Sequence, residues 1–306
     1  MIKKKLVKVY YAVSILWRGA LAMILGAIVC KLPLFRQYKR HLLSTWHDFD
    51  KRKGVDNLLF GPLFNFWIRF EYLREKDPDK RESLKELAMG GNSGRKCAKQ
   101  ADAIPLDFNA KIGDMTFNEA FPMFSEIENI LEGAKARLIV IQVGSSSGRE
   151  IAYFAHKYPA HTYIGADICQ EIADYASSAH QSQNLSFRTL SAKHISQLLS
   201  EYKNENILIF SSGALTYMQP EHLPVFFSSV ANMASAKILL NEPGRENRGK
   251  LPDEVAGSMW RGNFTYTHDY KFYAEKANIK TVKSRVIRLP YPIYYFYYGE
   301  TNGCHW

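Results

Sequence analysis

The chain has 306 residues, enough for one large or two modest domains, and 46% of them are hydrophobic, which excludes a disordered protein. Four cysteines, Cys30, Cys97, Cys169 and Cys304, form no C-x-x-C pair, and nine histidines form no H-x-x-x-H pattern, so neither a disulfide framework nor a metal site is indicated. The net charge of +10 is concentrated between Lys3 and Lys53, where the basic residues bracket an apolar run; this arrangement fits an anionic lipid surface and not nucleic acid.

That run, Val9–Leu32, has about the length needed to cross a ~30 Å bilayer core. Arg18 interrupts it near the middle, at a cost of ~2.5–3.5 kcal/mol for a spanning helix. A tilted span and a helix lying in the interface both fit, and the alternative is a core helix packed against the aromatic stripe of Asn57–Glu75. If the run spans, the basic cluster after it, larger than the one before it, puts the rest of the chain in the cytoplasm. Residues 1–32 are therefore expected to associate with a membrane. Residues 33–115 read as a helical cap or linker: Asn57–Glu75 is aromatic, Pro78–Met89 is a short polar helix, and Gly90–Asp114 is a long polar loop.

From residue 116 the pattern is regular. Helix Asn118–Ala134 leads to strand Arg137–Val143, helix Gly148–Tyr158 to strand Thr162–Ala166, and helix Gln170–Ser182 to strand Leu185–Leu190. Helix Lys193–Tyr202 then leads to strand Asn206–Ser211, and helix Pro220–Ala234 to strand Ala236–Asn241. Strands alternating with helices mean right-handed crossovers and a parallel sheet. After helix His268–Ala277 the alternation stops. Lys280–Leu289 and Tyr291–Glu300 are β-rich runs with no helix between them, so they form an antiparallel hairpin. The expected class is α/β: a Rossmann-like mixed sheet of seven strands over 116–306, preceded by a helical N-terminal region.

The most informative stretch is Leu138–Gly148, LIVIQVGSSSG. An apolar strand stops at Gly144, Gly148 follows, and a helix begins at once, which brings backbone N–H groups to the place where a nucleotide-like ligand binds. The next strand ends in Asp167, 23 residues beyond Gly144, where a carboxylate accepts hydrogen bonds from a ribose diol.

This order of elements resembles the class I S-adenosylmethionine-dependent methyltransferases. The resemblance implies S-adenosyl-L-methionine as cofactor, bound by Gln142, Gly144, Ser146, Gly148 and Asp167, with Ser212 in the segment beside the methyl group. Gln142 stands where an acidic residue is frequent in that family, and Ser146 where a middle glycine is frequent. Tyr217, Glu242 and His268, at the C-terminal strand ends, are the candidate catalytic residues, with Glu242 and His268 as candidate bases. The segment Gly244–Thr267 is a candidate substrate gate. The expected acceptor is a small molecule, a lipid or a saccharide precursor at the membrane.

Two other readings use the same residues. Gly144–Gly148 also satisfies G-x-S-x-G, the nucleophile elbow of a serine esterase, with Ser146 as nucleophile and His268 as base. No strand pattern precedes it, whereas that elbow lies deep in a sheet. A methyltransferase-like binding protein without activity is the non-enzymatic alternative. A nicotinamide enzyme is disfavoured, because Ser146 and Arg149 occupy the second and third positions of G-x-G-x-x-G.

Overall fold

A computed structural model describes residues 28, 61–90, 94–103, 106–108, 110–112, 114–190, 194–244, 257–262, 264–289, 293–304 and 306. Apart from Ile28, the apolar run Val9–Leu32 lies outside them. Among the described residues no helix is long and apolar enough to cross a membrane. The chain divides into two compact units, Met1–Gly94 with Gly262–Phe264, and Arg95–Arg261 with Thr265–Trp306.

In the first unit, helices α1 (Gly61–Arg74) and α2 (Pro78–Gly90) follow one another. Asp77 caps α2 by accepting from the Asp79 N–H at 2.9 Å, and Pro78 occupies the first helical position, where no N–H is needed. Trp67, Ile68, Phe70 and Tyr72 are buried. Tyr72 meets Phe264 edge-to-face at 4.8 Å.

Helix α3 (Gly94–Asp102), where a polar loop is expected from composition, begins at the last residue of the first unit, and the second unit continues with a two-stranded ribbon, β1 (Lys111–Ile112) and β2 (Met115–Thr116). Thr116 and Glu119 form a capping box on the short helix α4 (Phe117–Ala120). Pro122 then separates α4 from α5 (Pro122–Gly133), so the single helix expected over 118–134 is two.

The main sheet comprises β3 (Ile139–Val143), β4 (Thr162–Asp167), β5 (Leu185–Thr189), β6 (Asn206–Ser212), β7 (Ser235–Gly244), β10 (Lys280–Arg288) and β11 (Ile293–Glu300), in the order β10-β11-β7-β6-β3-β4-β5. β3 to β7 are parallel, and β11 runs antiparallel between β7 and β10. The central strands are buried on both faces, which is why they read as continuous apolar runs. One face packs α5 and α6 (Arg149–Lys157) through Phe124, Ile127, Ile151 and Phe154. The other packs α8 (Ile195–Glu201), α9 (Leu223–Ala231) and α10 (Tyr270–Lys276) through Leu198, Phe226, Phe227 and Tyr273. α7 (Gln170–Ala179) joins β4 to β5.

From β3 the chain winds outward to β4 and β5, then returns to the other side of β3 as β6. The order of strand addition reverses between the parallel strands β3 and β6, and the crevice beyond their C-terminal ends is where an open α/β sheet receives a ligand. A further hairpin, β8 (Ser258–Gly262) and β9 (Thr265–His268), follows β7. It occupies part of the segment expected as a loop gate; residues 245–256 of that gate lie outside the described residues.

Candidate functional site

The turn after β3 is wound by left-handed residues: Gly144 at φ 73°, Ser146 at 49° and Gly148 at 81°. The first and last are positions where glycine carries no Cβ penalty. Gly148 is the left-handed N-cap, and α6 starts at Arg149. The Gly144 and Ser145 N–H groups both donate to the Ala166 carbonyl, at 2.7 and 2.9 Å, clamping the turn to β4. The strand runs one residue further than the pattern predicts, so Asp167 is its last residue. The Asp167 carboxylate accepts from the Ser146 N–H at 2.9 Å and the Cys169 N–H at 3.1 Å. Burial pushes its pKa up, against these backbone hydrogen bonds that pull it down. Gly144, Ser146, Gly148 and Asp167, separated in sequence, thus form one bonded unit.

Gln142 lies buried just below the turn and donates from Nε2 to Glu150 Oε2 at 2.7 Å, while its Oε1 has no partner among the described residues. Glu150 is half-buried, and its pKa is pushed up to about 7 by burial, opposed by the Arg149 charge and the Gln142 bond.

Across the crevice, Gly213 is left-handed at φ 79°. A Cβ on Gly144 would lie 2.0 Å from the Ala214 Cβ, so the turns after β3 and β6 touch. Ser212 and Tyr217 are half-buried on this segment. β7 continues through Gly244, which puts Glu242 inside a strand and not in a turn. Glu242 is 0% exposed. Its Oε1 accepts from Ser211 Oγ at 2.7 Å and the Leu215 N–H at 3.2 Å, and its Oε2 from the Thr216 N–H at 3.2 Å. Burial raises its pKa to about 7, against these hydrogen bonds. The carboxylate braces the segment after β6 from below.

His268 ends β9, and Asp269 caps α10, so His268 is not on the helix that the pattern begins there. Its ring is fully buried, with Nε2 3.1 Å from the Met218 carbonyl and Nδ1 2.7 Å from Ser258 Oγ. A carbonyl only accepts, so Nε2 carries the proton and Nδ1 accepts from Ser258. Ser258 Oγ in turn lies 2.7 Å from Tyr273 Oη, whose O–H is then the donor. Thr216 Oγ1 donates to the Tyr266 carbonyl at 2.6 Å, tying β9 to the same segment. Ser146, by contrast, is exposed on the β3 turn, and the serine bonded to His268 is Ser258, so the esterase pairing of Ser146 with His268 is not formed. Ser258, Glu150 and Ala214 escape a sequence reading because nothing local marks them; each is selected by a partner at long range.

A doubly wound sheet in this order, closed by an antiparallel hairpin whose last strand inserts beside β7, is the Rossmann-like fold of the class I S-adenosylmethionine-dependent methyltransferases. Neither known protein-family profiles nor curated proteins match the sequence. In three dimensions the chain is similar to 1,6-didemethyltoxoflavin-N1-methyltransferase from Burkholderia thailandensis, solved with 1,6-didemethyltoxoflavin and S-adenosylhomocysteine. That likeness has a TM-score of 0.51 and 12% identity, over 74% of this chain and 91% of that one. Magnesium protoporphyrin IX methyltransferase from Synechocystis PCC 6803, solved with S-adenosylmethionine, gives a TM-score of 0.47 and 11% identity, over 71% and 97%. A methyltransferase from Aquifex aeolicus gives 0.43 and 16%, over 74% and 99%. At these identities the likeness is one of fold.

Proposed function

We propose that the protein is an S-adenosylmethionine-dependent methyltransferase acting on a small-molecule or lipid-linked acceptor. The observation that carries this reading is the left-handed turn Gly144–Gly148, bonded through Ser146 to the Asp167 carboxylate at the reversal point of the sheet. The residues fit the cofactor: a turn free of large side chains beside β6, and an acid on β4 for a ribose. Gly144, Gly148 and Ser212 would line the amino-acid end, and Asp167 the ribose. When bound, the cofactor supplies an electrophilic methyl group on a sulfonium.

The chain's own part is alignment, exclusion of water and proton handling. Glu242 is engaged by Ser211 and backbone N–H groups, so its part is to hold the segment carrying Tyr217. Proton acceptance falls to His268 through Ser258. Ser258 Oγ donates to His268 Nδ1, and the Met218 carbonyl fixes the ring through Nε2–H, so Nδ1 is the ring nitrogen left to take a proton. Calorimetry with S-adenosylmethionine and S-adenosylhomocysteine tests the reading; no heat at millimolar ligand would sink it. Binding without any turnover of S-adenosylmethionine across a panel of membrane extracts would favour the non-catalytic alternative.

Residues 1–32 are proposed to hold the protein on the cytoplasmic face of a membrane. The support is the apolar run Val9–Leu32 with its flanking basic residues, each of which adds ~1 kcal/mol near anionic lipid. The full chain should co-float with phosphatidylserine vesicles and the chain lacking residues 1–32 should not; equal behaviour of the two removes the anchor.

A further inference from the structure

We propose that the outer edge of the sheet carries a second binding site, for a neutral saccharide, apart from the crevice at the C-terminal strand ends. β5 is the last strand on its side of the sheet. A cavity of about 440 Å³, within the range of small-molecule sites, lies between the end of α7 and the start of β5. It takes in Leu185, Ser186 and Phe187, the first three residues of β5, whereas Asp167 stands opposite Thr189, the last.

The floor of the cavity is apolar and fixed. Leu185 and Phe187 are half-buried, and a Cβ on either Gly148 or Gly165 would lie 2.5 Å from the Phe187 ring, which is wedged between them and the cavity. His180 is tilted against that ring with centroids 6.5 Å apart, and its Nε2 lies 3.1 Å from Asp102 Oδ1. The rim is polar, with Ser177, Gln181 and Gln183 exposed. Asn184 Nδ2 pins the loop that carries both glutamines, donating to the Ala155 and His161 carbonyls at 3.1 and 3.2 Å. Apart from His180, every polar side chain lining the cavity is a serine or a glutamine; no acid, lysine or arginine lines it.

This lining selects a chemistry. Hydroxyls and carboxamides both donate and accept, as does each hydroxyl of a sugar. An anion finds only an imidazole that a carboxylate already faces, and an ammonium finds no carboxylate in the lining. The ring floor answers the C–H face of a pyranose. The backbone limits the size of the occupant. Tyr163 N–H donates to the Asn184 carbonyl and Leu190 N–H to the Asp167 carbonyl, so even-numbered residues of β5 turn to β4 and Phe187 turns its N–H and carbonyl outward. No described strand pairs with that side. One such donor and acceptor help to hold a small ligand but are too few for an added strand.

The test uses the full chain and saturation-transfer NMR. The probes are the methyl glycosides of glucose, galactose and N-acetylglucosamine, with cyclohexanol as a ring bearing one hydroxyl and glucuronate as an anion. At least one glycoside should bind in the millimolar range, about tenfold more tightly than cyclohexanol or glucuronate. Gln181→Ala combined with Gln183→Ala should weaken it at least tenfold with Tm unchanged, since both side chains are exposed. Phe187→Leu, which keeps an apolar floor without a ring face, should weaken it as well. Saturating S-adenosylhomocysteine should leave glycoside binding unchanged. Silence of all three glycosides would overturn the inference, as would wild-type affinity in the double glutamine variant. Equal binding of cyclohexanol, or tighter binding of glucuronate, would contradict the chemistry assigned to the lining. Displacement by S-adenosylhomocysteine would put the sugar in the crevice, and displacement by an extended valine–threonine tetrapeptide would make the edge a strand-docking site; each sinks the proposal.

Discussion

Asp167 and Glu242 are both carboxylates at the C-terminal ends of parallel strands, and they do opposite things. Asp167, on β4, spends its oxygens on two turn N–H groups at the crevice rim. Glu242, on β7, is sealed beneath the segment after β6 and spends its oxygens on a serine hydroxyl and two N–H groups. Burial raises the pKa of both. A strand-end carboxylate can meet a ligand only if the chain that folds over it leaves a path. On β4 the carboxylate lies under a turn of small residues and is 8% exposed; on β7 the segment Leu215–Tyr217 and β9 leave Glu242 at 0%.

The largest effect that follows is on stability. Glu242→Ala strands two backbone N–H groups and the Ser211 hydroxyl in a dry interior, and should cost about 3–4 kcal/mol in urea unfolding. Asp167→Ala should cost much less, because the Gly144 and Ser145 bonds to the Ala166 carbonyl remain. Equal destabilisation by the two would erase the contrast. Glu242 also carries a pH signature. Its pKa rises on folding from the ordinary 4.5 to about 7, so its contribution to stability is complete below 4.5 and is lost as pH climbs through 7. Glu150 acts in the same direction. Tm should therefore fall with rising pH across this window, and Glu242→Gln should flatten the fall.

Next in size is the contact between the two turns. Gly144→Ala places a methyl 2.0 Å from Ala214 at a left-handed φ, and should cost about 2–3 kcal/mol and at least a tenfold loss of S-adenosylhomocysteine affinity. Gly213→Ala, whose new Cβ would have its nearest neighbour at 3.9 Å, should cost only the ~1 kcal/mol of its left-handed backbone. A mild Gly144→Ala would mean that the turns do not need to touch.

Asp167→Ala should weaken S-adenosylhomocysteine binding by ~1.5–3 kcal/mol, measured by calorimetry, through loss of charged hydrogen bonds to a ribose. Unchanged affinity would leave Asp167 as a brace like Glu242. The smallest effect belongs to Ser146. Ser146→Gly releases a left-handed serine and should stabilise by no more than ~1 kcal/mol, with cofactor affinity retained. Covalent labelling of Ser146 by a fluorophosphonate would reopen the esterase reading.

The repeat of buried strand and amphipathic helix, the glycines of the β3 turn and the acid on β4 were all legible in the sequence, because each is a local device. An apolar run buried on both faces is a parallel strand, a tight left-handed turn needs glycine, and one strand–helix–strand unit sets the distance from Gly144 to Asp167. The terminal hairpin followed from the missing helix after Leu289. Glu242 and His268 were also singled out in the sequence, but not what they do. Both stand one residue from a turn or helix start in the pattern, and both belong to strands in the structure. Only the tertiary structure decided that Glu242 is sealed and that His268 is turned to Ser258 by the Met218 carbonyl. The physical reason is the same in each case. Burial and hydrogen bonding depend on which distant segment folds over a group, and Leu215, Thr216, Ser258 and Met218 reach these residues from 10 to 50 positions away.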